Sequence, residues 1–322
     1  MNSILFIALG GGGDVISAAM LALAFRRIGI KTNIASIVWE RFSIDPIPGP
    51  IRFNEIKNAE KIGEYSMIVF ENTKAIRGGK EILFQAVNVS KAIKEEIGIV
   101  DINSGVEGLE KGIKELAKFL KCNKIIGVDV GGDILSTGFE KNLWSPLADF
   151  LGLAALSKQN GIIAVHSLGS DGELNLNYLL KRIAFITKKG GFLGIRGMNK
   201  YDIEILERIL NYAESEASRV SLMAWKGFYG YLKLRNNSRK TFVTPLNTLT
   251  FFLKSKIVAK YNPVIKELMN TKSLEEARKV LNEKKIFTEL DLEEGLFKMI
   301  NDGKRITSEL IKEIRNSFFN RY

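Results

Sequence analysis

Cysteine occurs once in the 322 residues, at Cys122, and histidine once, at His166. A single cysteine excludes an internal disulfide and a cysteine-based zinc cluster, and a single histidine excludes paired-histidine zinc motifs. No uncharged apolar run reaches about 18 residues, so no membrane span is expected. The first residues have neither a basic stretch nor a small-residue cleavage site, which reads against a secretory signal. These absences give the expectation of a cytoplasmic chain. Acidic residues are missing from 217–266, a segment with ten lysines and arginines. That imbalance accounts for much of the net charge of +11 and calls for an anion. Residues 1–160 are nearly neutral, with 19 basic and 18 acidic side chains.

Among the remaining residues, apolar runs alternate with helical periodicity. Residues 3–9, 32–39, 67–70, 99–102, 124–130, 161–166 and 192–195 read as strands. Residues 14–27, 84–97, 106–120, 145–158, 174–188 and 200–217 read as helices. The strand runs are continuous rather than alternating, as in a parallel sheet covered on both faces. The predicted fold is therefore α/β, a doubly wound, mostly parallel, Rossmann-like sheet. Beyond 218 the pattern becomes a loop at 235–240, a short strand at 241–243, and helices at 246–255, 264–269, 274–283, 292–301 and 306–319. This reading divides the chain into a Rossmann-like part, 1–217, and a basic, mainly helical part, 218–322, packed on it.

The densest motif is Gly10-Gly11-Gly12-Gly13-Asp14, between the first strand and the first helix. Such a loop turns sharply, bares N–H groups and admits close approach, with glycine free to take positive φ. It lacks the lysine and hydroxyl of a P-loop, and it meets the dinucleotide fingerprint only in part. Glu40 ends the second strand, where an acid that holds ribose would sit, and Arg41 after it suits a phosphate. The plainer alternative is a tight turn with Asp14 as a helix cap. A second constellation, Asp129-Val-Gly131-Gly132-Asp133, ends another apolar run. Its two aspartates suit Mg²⁺, a sugar hydroxyl or acid–base work. His166 also ends a strand, which makes it a catalytic candidate beside Asp129 and Asp133. Aromatic residues interleave the acid-free segment, as in proteins that stack single-stranded nucleic acid, but no RNP, KH or helix-turn-helix pattern accompanies them.

Gly10–Asp14 with Val15, Trp39-Glu40-Arg41, the run Asp45-Pro-Ile-Pro-Gly-Pro-Ile51, Asp129–Asp133 and Ser145-Pro-Leu-Ala-Asp149 together resemble an uncharacterised, largely archaeal family, domain of unknown function 1152. The resemblance runs over most of the chain and implies a shared polar site without naming an activity. The residues themselves favour an enzyme, a transferase, hydrolase or lyase, holding a nucleotide, sugar phosphate or similar anionic metabolite at the glycine-rich strand ends. Gly10–Gly13, Asp14, Glu40, Arg41, Gly131 and Gly132 would bind the ligand, and Asp129 and Asp133 would hold Mg²⁺ or move protons. The alternative is a non-catalytic nucleotide sensor or RNA-binding module. The reading gives the chain no membrane partner and leaves room for an oligomer.

Overall fold

The structure is a computed structural model that describes residues 3–235 and 237–320. The strands are β1 Ser3–Ala8, β2 Lys31–Ile37, β3 Ile56–Lys61, β4 Ser66–Arg77, β5 Lys80–Ile82, β6 Ile97–Val100, β7 Lys124–Val130, β8 Ile162–His166, β9 Phe192–Gly197, β10 Gly230–Leu234, β11 Arg239–Val243 and β12 Leu249–Lys254. The helices are α1 Val15–Arg27, α2 Gln85–Ile93, α3 Gly105–Phe119, α4 Pro146–Lys158, α5 Leu176–Lys188, α6 Lys200–Leu210, α7 Glu216–Trp225, α8 Ser255–Lys260, α9 Ile265–Leu268, α10 Leu274–Glu283, α11 Glu289–Asn301 and α12 Ser308–Phe319. Among the described residues none is long and apolar enough to cross a membrane.

One sheet runs in the order β3-β4-β6-β2-β1-β7-β8-β12-β9, with β5 on β4. Its five central strands, β6-β2-β1-β7-β8, are mutually parallel. They are the apolar runs anticipated for a doubly covered sheet, and β1 is buried along its whole length. Helices α3 and α4, with α8 to α10, pack on one face, while α1, α2 and α6 pack on the other. The chain leaves β1 toward β2 on one side, and the strand beside β1 on the other side is β7. This makes β1/β7 the switch point, where ligands of doubly wound sheets bind outside the strand carboxyl ends.

Three expectations need correction. The helix expected at 246–255 is instead strand β12, antiparallel between β8 and β9. Its Leu-Thr-Phe-Phe-Leu run is apolar enough for either periodicity, and burial in a sheet favours β-branched and aromatic side chains. The sheet thus takes an interior strand from beyond residue 218, so a body at 1–217 with helices laid on it does not describe the architecture. The edge meander β3-β4-β5 was not anticipated beyond 67–70, because polar residues at its exposed positions break up the apolar run. The helix expected at 200–217 is two helices, with Ser215 accepting from the Ser218 N–H to start the second. Ser145-Pro146 does open α4 as expected, with proline in the first turn.

A chain ending at residue 217 tests the architecture. It lacks β12, the neighbour that ties β9 to the sheet, so it is expected to show no cooperative thermal transition by near-UV circular dichroism. A sharp transition resembling that of the whole chain would restore the two-part division.

Candidate functional site

The glycine loop follows β1 and leads through a short 3₁₀ turn, Gly12–Asp14, into α1. None of Gly10 to Gly13 takes a positive φ, so handedness is not why glycine stands here. Crowding is. A Cβ on Gly10 would lie 2.6 Å from Asp14 Oδ2 and 2.9 Å from Asp149 Oδ1, and one on Gly12 would overlap Glu40 Oε1. Gly13 lies against Ser215. Gly11 differs. Its φ of −168° suits any residue, and an added Cβ would find no atom within 4 Å. The loop also spends N–H groups internally, Gly12 to Trp39 O at 2.9 Å and Asp14 to Gly11 O at 3.0 Å.

Asp14 does not cap α1. Its Oδ2 accepts instead from the Val130 N–H at 3.3 Å, tying the loop to the end of β7. Beyond β7 the chain turns through Gly131 and Gly132, whose φ values of 123° and 114° do require glycine. A side chain on Gly131 would also overlap the Asp171 carboxyl. From the opposite sheet face, the first turn of α4 brings Asp149. Its neighbours Leu147 and Ala148 donate to Glu289 of α11, at 2.9 and 2.7 Å. Asp14, Asp129, Asp133, Asp149 and Asp171 therefore converge, and all but Asp171 are buried.

Burial and mutual repulsion raise their proton affinities. Burial first and the Asp129 charge second lift Asp14 well above the carboxylate range. Asp149 is lifted the same way, by burial and then by Asp129 and Asp14. Asp129 stands at about 7, pushed up by burial and Asp171 and held back by backbone contacts and a hydrogen bond with Asp149. Asp171 stands at about 6 for burial and the Glu173 charge. Glu173 is the ionised member. Burial alone would raise it, but Arg239 at 2.5 Å and the Ser145 hydroxyl at 2.5 Å bring it to about 2. Asp133, raised well above the usual range by burial, shares a hydrogen bond with that carboxylate. The cluster is thus two proton-sharing pairs, Asp129 with Asp149 and Asp133 with Glu173. Asp129 Oδ2, Asp133 Oδ1 and Asp149 Oδ1 are buried and take no N–H or hydroxyl donor.

Arginines face these acids. Arg41 acts on Asp14, while Arg235 and Arg239 act on Asp171 and Glu173. Arg41 pairs with Glu216 at 2.9 Å, and Arg235 lies 3.9 Å from the same carboxylate. Burial, then Arg239 and Arg41, lower Arg235 to about 9, the mark of a crowded cationic cluster.

Of the anticipated residues, Gly10–Gly13, Asp14, Asp129, Gly131, Gly132 and Asp133 do meet at the carboxyl ends of β1 and β7, where Arg41 acts on Asp14. Glu40 lies beneath Gly12, accepts the Gln85 N–H at 2.9 Å and is raised by burial to about 7. His166 does not join them. It pairs in register with Val130, while Asp129 pairs with Val165, which puts the imidazole on the other sheet face. There its Nδ1 meets Thr250 Oγ1 at 2.9 Å, and burial, aided by Arg196, lowers it to about 4. The Mg²⁺ expected at Asp129 and Asp133 gains no support, since each is engaged in a separate pair. Among the described residues no group of three or more His, Cys, Asp or Glu is disposed to hold a metal ion. The Asp45–Pro50 loop is structural: Arg77 pairs with Asp45 and donates to Gly49 O at 2.9 Å. Glu289 escaped the sequence reading, Asp171, Glu173 and Arg235 were not singled out in it as site residues, and Asp149 entered it only as part of the family resemblance.

The fold is of the doubly wound α/β class, with a polar cluster at its switch point. A family model, "Protein of unknown function (DUF1152)", matches residues 5–297, and the chain belongs to that family. Searches of curated proteins and of solved structures returned no match.

Two outcomes are expected here. Gly11→Val keeps the wild-type melting temperature, because its Cβ position is open, whereas Gly12→Val is destabilised by about 1–3 kcal/mol or more, the cost of overpacking. Equal melting temperatures for the two would remove crowding as the reason for Gly12. The second outcome concerns pH. A carboxyl raised on folding adds stability that is lost as pH climbs through its folded value, here about 7 for Asp129 and about 8 for Glu289. His166, lowered to about 4, costs stability only as pH falls below its unfolded value of 6.5. Stability should therefore fall as pH climbs from about 4.5 to about 8, by about 1.4 kcal/mol per pH unit for each carboxyl that is protonated only in the folded chain, with His166 offsetting one such group below pH 6.5. Asp129→Asn should flatten that decline, and an unchanged slope in thermal melts would contradict the assignment.

Proposed function

We propose that this protein is an enzyme acting on a nucleotide, sugar phosphate or similar phosphorylated metabolite at the β1/β7 crevice. One juxtaposition supports the reading: at a switch point, buried carboxyl oxygens that take no N–H or hydroxyl donor lie in one cluster with Asp14, Asp171 and Glu173, on which Arg41, Arg235 and Arg239 act. A ligand with hydroxyls at one end and a phosphate at the other suits both sides. Sugar hydroxyls donate to Asp129 and Asp149, and the phosphate takes Arg235 and Arg41. The space over Gly11 admits the ligand close to the backbone. With Asp129 near 7 and hydrogen-bonded to protonated Asp149, the pair suits general acid–base work at neutral pH. Transferase, hydrolase and lyase reactions at a sugar carbon share that proton transfer.

The test is a panel of nucleotides and sugar phosphates, read by thermal shift for binding and by mass spectrometry for conversion. At least one member should raise the melting temperature and be converted. Arg235→Ala should weaken its binding by about tenfold or more, the loss of one charged hydrogen bond. Asp129→Asn should keep binding and lose about 10²–10⁴ in turnover, as for a general acid or base. Binding without conversion by the wild type would favour the sensor alternative. No binding across the panel would overturn the ligand class.

A further inference from the structure

Strands β10 and β11 form a separate two-stranded antiparallel ribbon. Alternation turns Leu232, Leu234, Thr241 and Val243 inward, and the leucines and Val243 cluster with Val220 and Ala224 of α7. The other face carries Tyr231 opposite Phe242 and Lys233 opposite Lys240. A ribbon with one solvated face ordinarily shows polar residues there. Here Tyr231 is 67% exposed and the preceding Tyr229 is 69% exposed. Phe242 holds both rings edge-on, with centroids 4.9 Å and 5.1 Å away, so the aromatic surface is fixed in advance.

The lysine pair adds a charge argument. Like charges directly opposite on a ribbon destabilise it. Among the described residues neither Lys233 nor Lys240 is in an ion pair with a carboxylate, and Lys240 lies 4.9 Å from the Tyr231 ring centroid. The segment 217–266 supplies no acid to relieve them. An anionic partner would. Ring pair and cation pair are two residues apart along each strand, about 7 Å. A base stacked on the rings would leave its phosphate within reach of the lysines. A lipid surface would ask for an apolar wedge, and a lysine pair stands within this face instead.

We propose that the outer face of the β10–β11 ribbon binds single-stranded nucleic acid, with the bases stacking on Tyr229 and Tyr231 and the phosphates at Lys233 and Lys240. The surface is independent of the crevice and of the ligand assigned to it.

Fluorescence polarisation with a labelled oligouridine of about a dozen nucleotides, at several salt concentrations, tests this on the full chain. Binding should weaken with salt at a log–log slope of about −0.7 for each phosphate contacted, so about −1.4 for two. Tyr231→Ala should reduce affinity about 5- to 150-fold, the range for losing one stacked base. Lys233→Gln with Lys240→Gln should flatten the salt slope by about 1.4. These side chains are on the surface, so melting temperatures check that each variant is folded. Gly11→Val should leave RNA affinity unchanged, which separates this surface from the crevice. Absence of RNA binding, RNA binding indifferent to all three ribbon substitutions, or binding to phosphatidylserine vesicles in place of RNA would each overturn the proposal.

Discussion

A carboxyl group taken out of water without a cation either keeps its proton or awaits a charge from outside. Four buried aspartates, with Asp171 beside them, meet that constraint at the β1/β7 switch point, and much of the surrounding structure follows from it. The glycine loop must be bare so that Asp14 and Asp149 can approach Gly10. The Gly131-Gly132 turn must be left-handed so that Asp133 and Asp171 can lie beside β7. Protons are shared within pairs because full ionisation would put too much like charge in one buried volume. Arg239 pairs directly only with Glu173, which is why that group alone is pulled far down.

Two helices on opposite faces of the sheet begin at this place. Each N-terminus presents a positive partial charge that favours acids nearby. α1 opens with Asp14 and α4 carries Asp149 in its first turn. Neither acid caps its own helix. In α4 the cap comes from Glu289, so the free N–H groups are satisfied by a distant carboxylate and Asp149 is left to face the crevice. The C-terminal helices thus help set the position of a residue in the middle of the sequence.

The five parallel strands and the two glycine–aspartate constellations were legible in the sequence, because strand ends and glycine runs are local signals. Residues brought in from elsewhere were not. Asp149 lies in a helix, and Asp171 and Glu173 follow a strand without any motif of their own. His166 shows the limit most clearly. Strand-end position was readable, but which face it takes depends on register, and one residue of shift separates it from the face of Asp129. Strand β12 was misread because Leu-Thr-Phe-Phe-Leu carries no period that distinguishes sheet from helix. Its place between two other strands decides the matter, and that place is tertiary.

The insertion of β12 also separates the order in which strands are made from the order in which they pair. During synthesis β8 and β9 emerge first, and the strand that joins them follows about fifty residues after β9 ends. Until then the growing chain holds an open strand edge at β8 and an unattached β9. Open edges invite pairing with other chains, and long-range pairing is slow to form. The unfinished sheet is therefore the stage at which a nascent copy is most exposed to misassembly, and rapid delivery of residues 249–254 is what closes that interval.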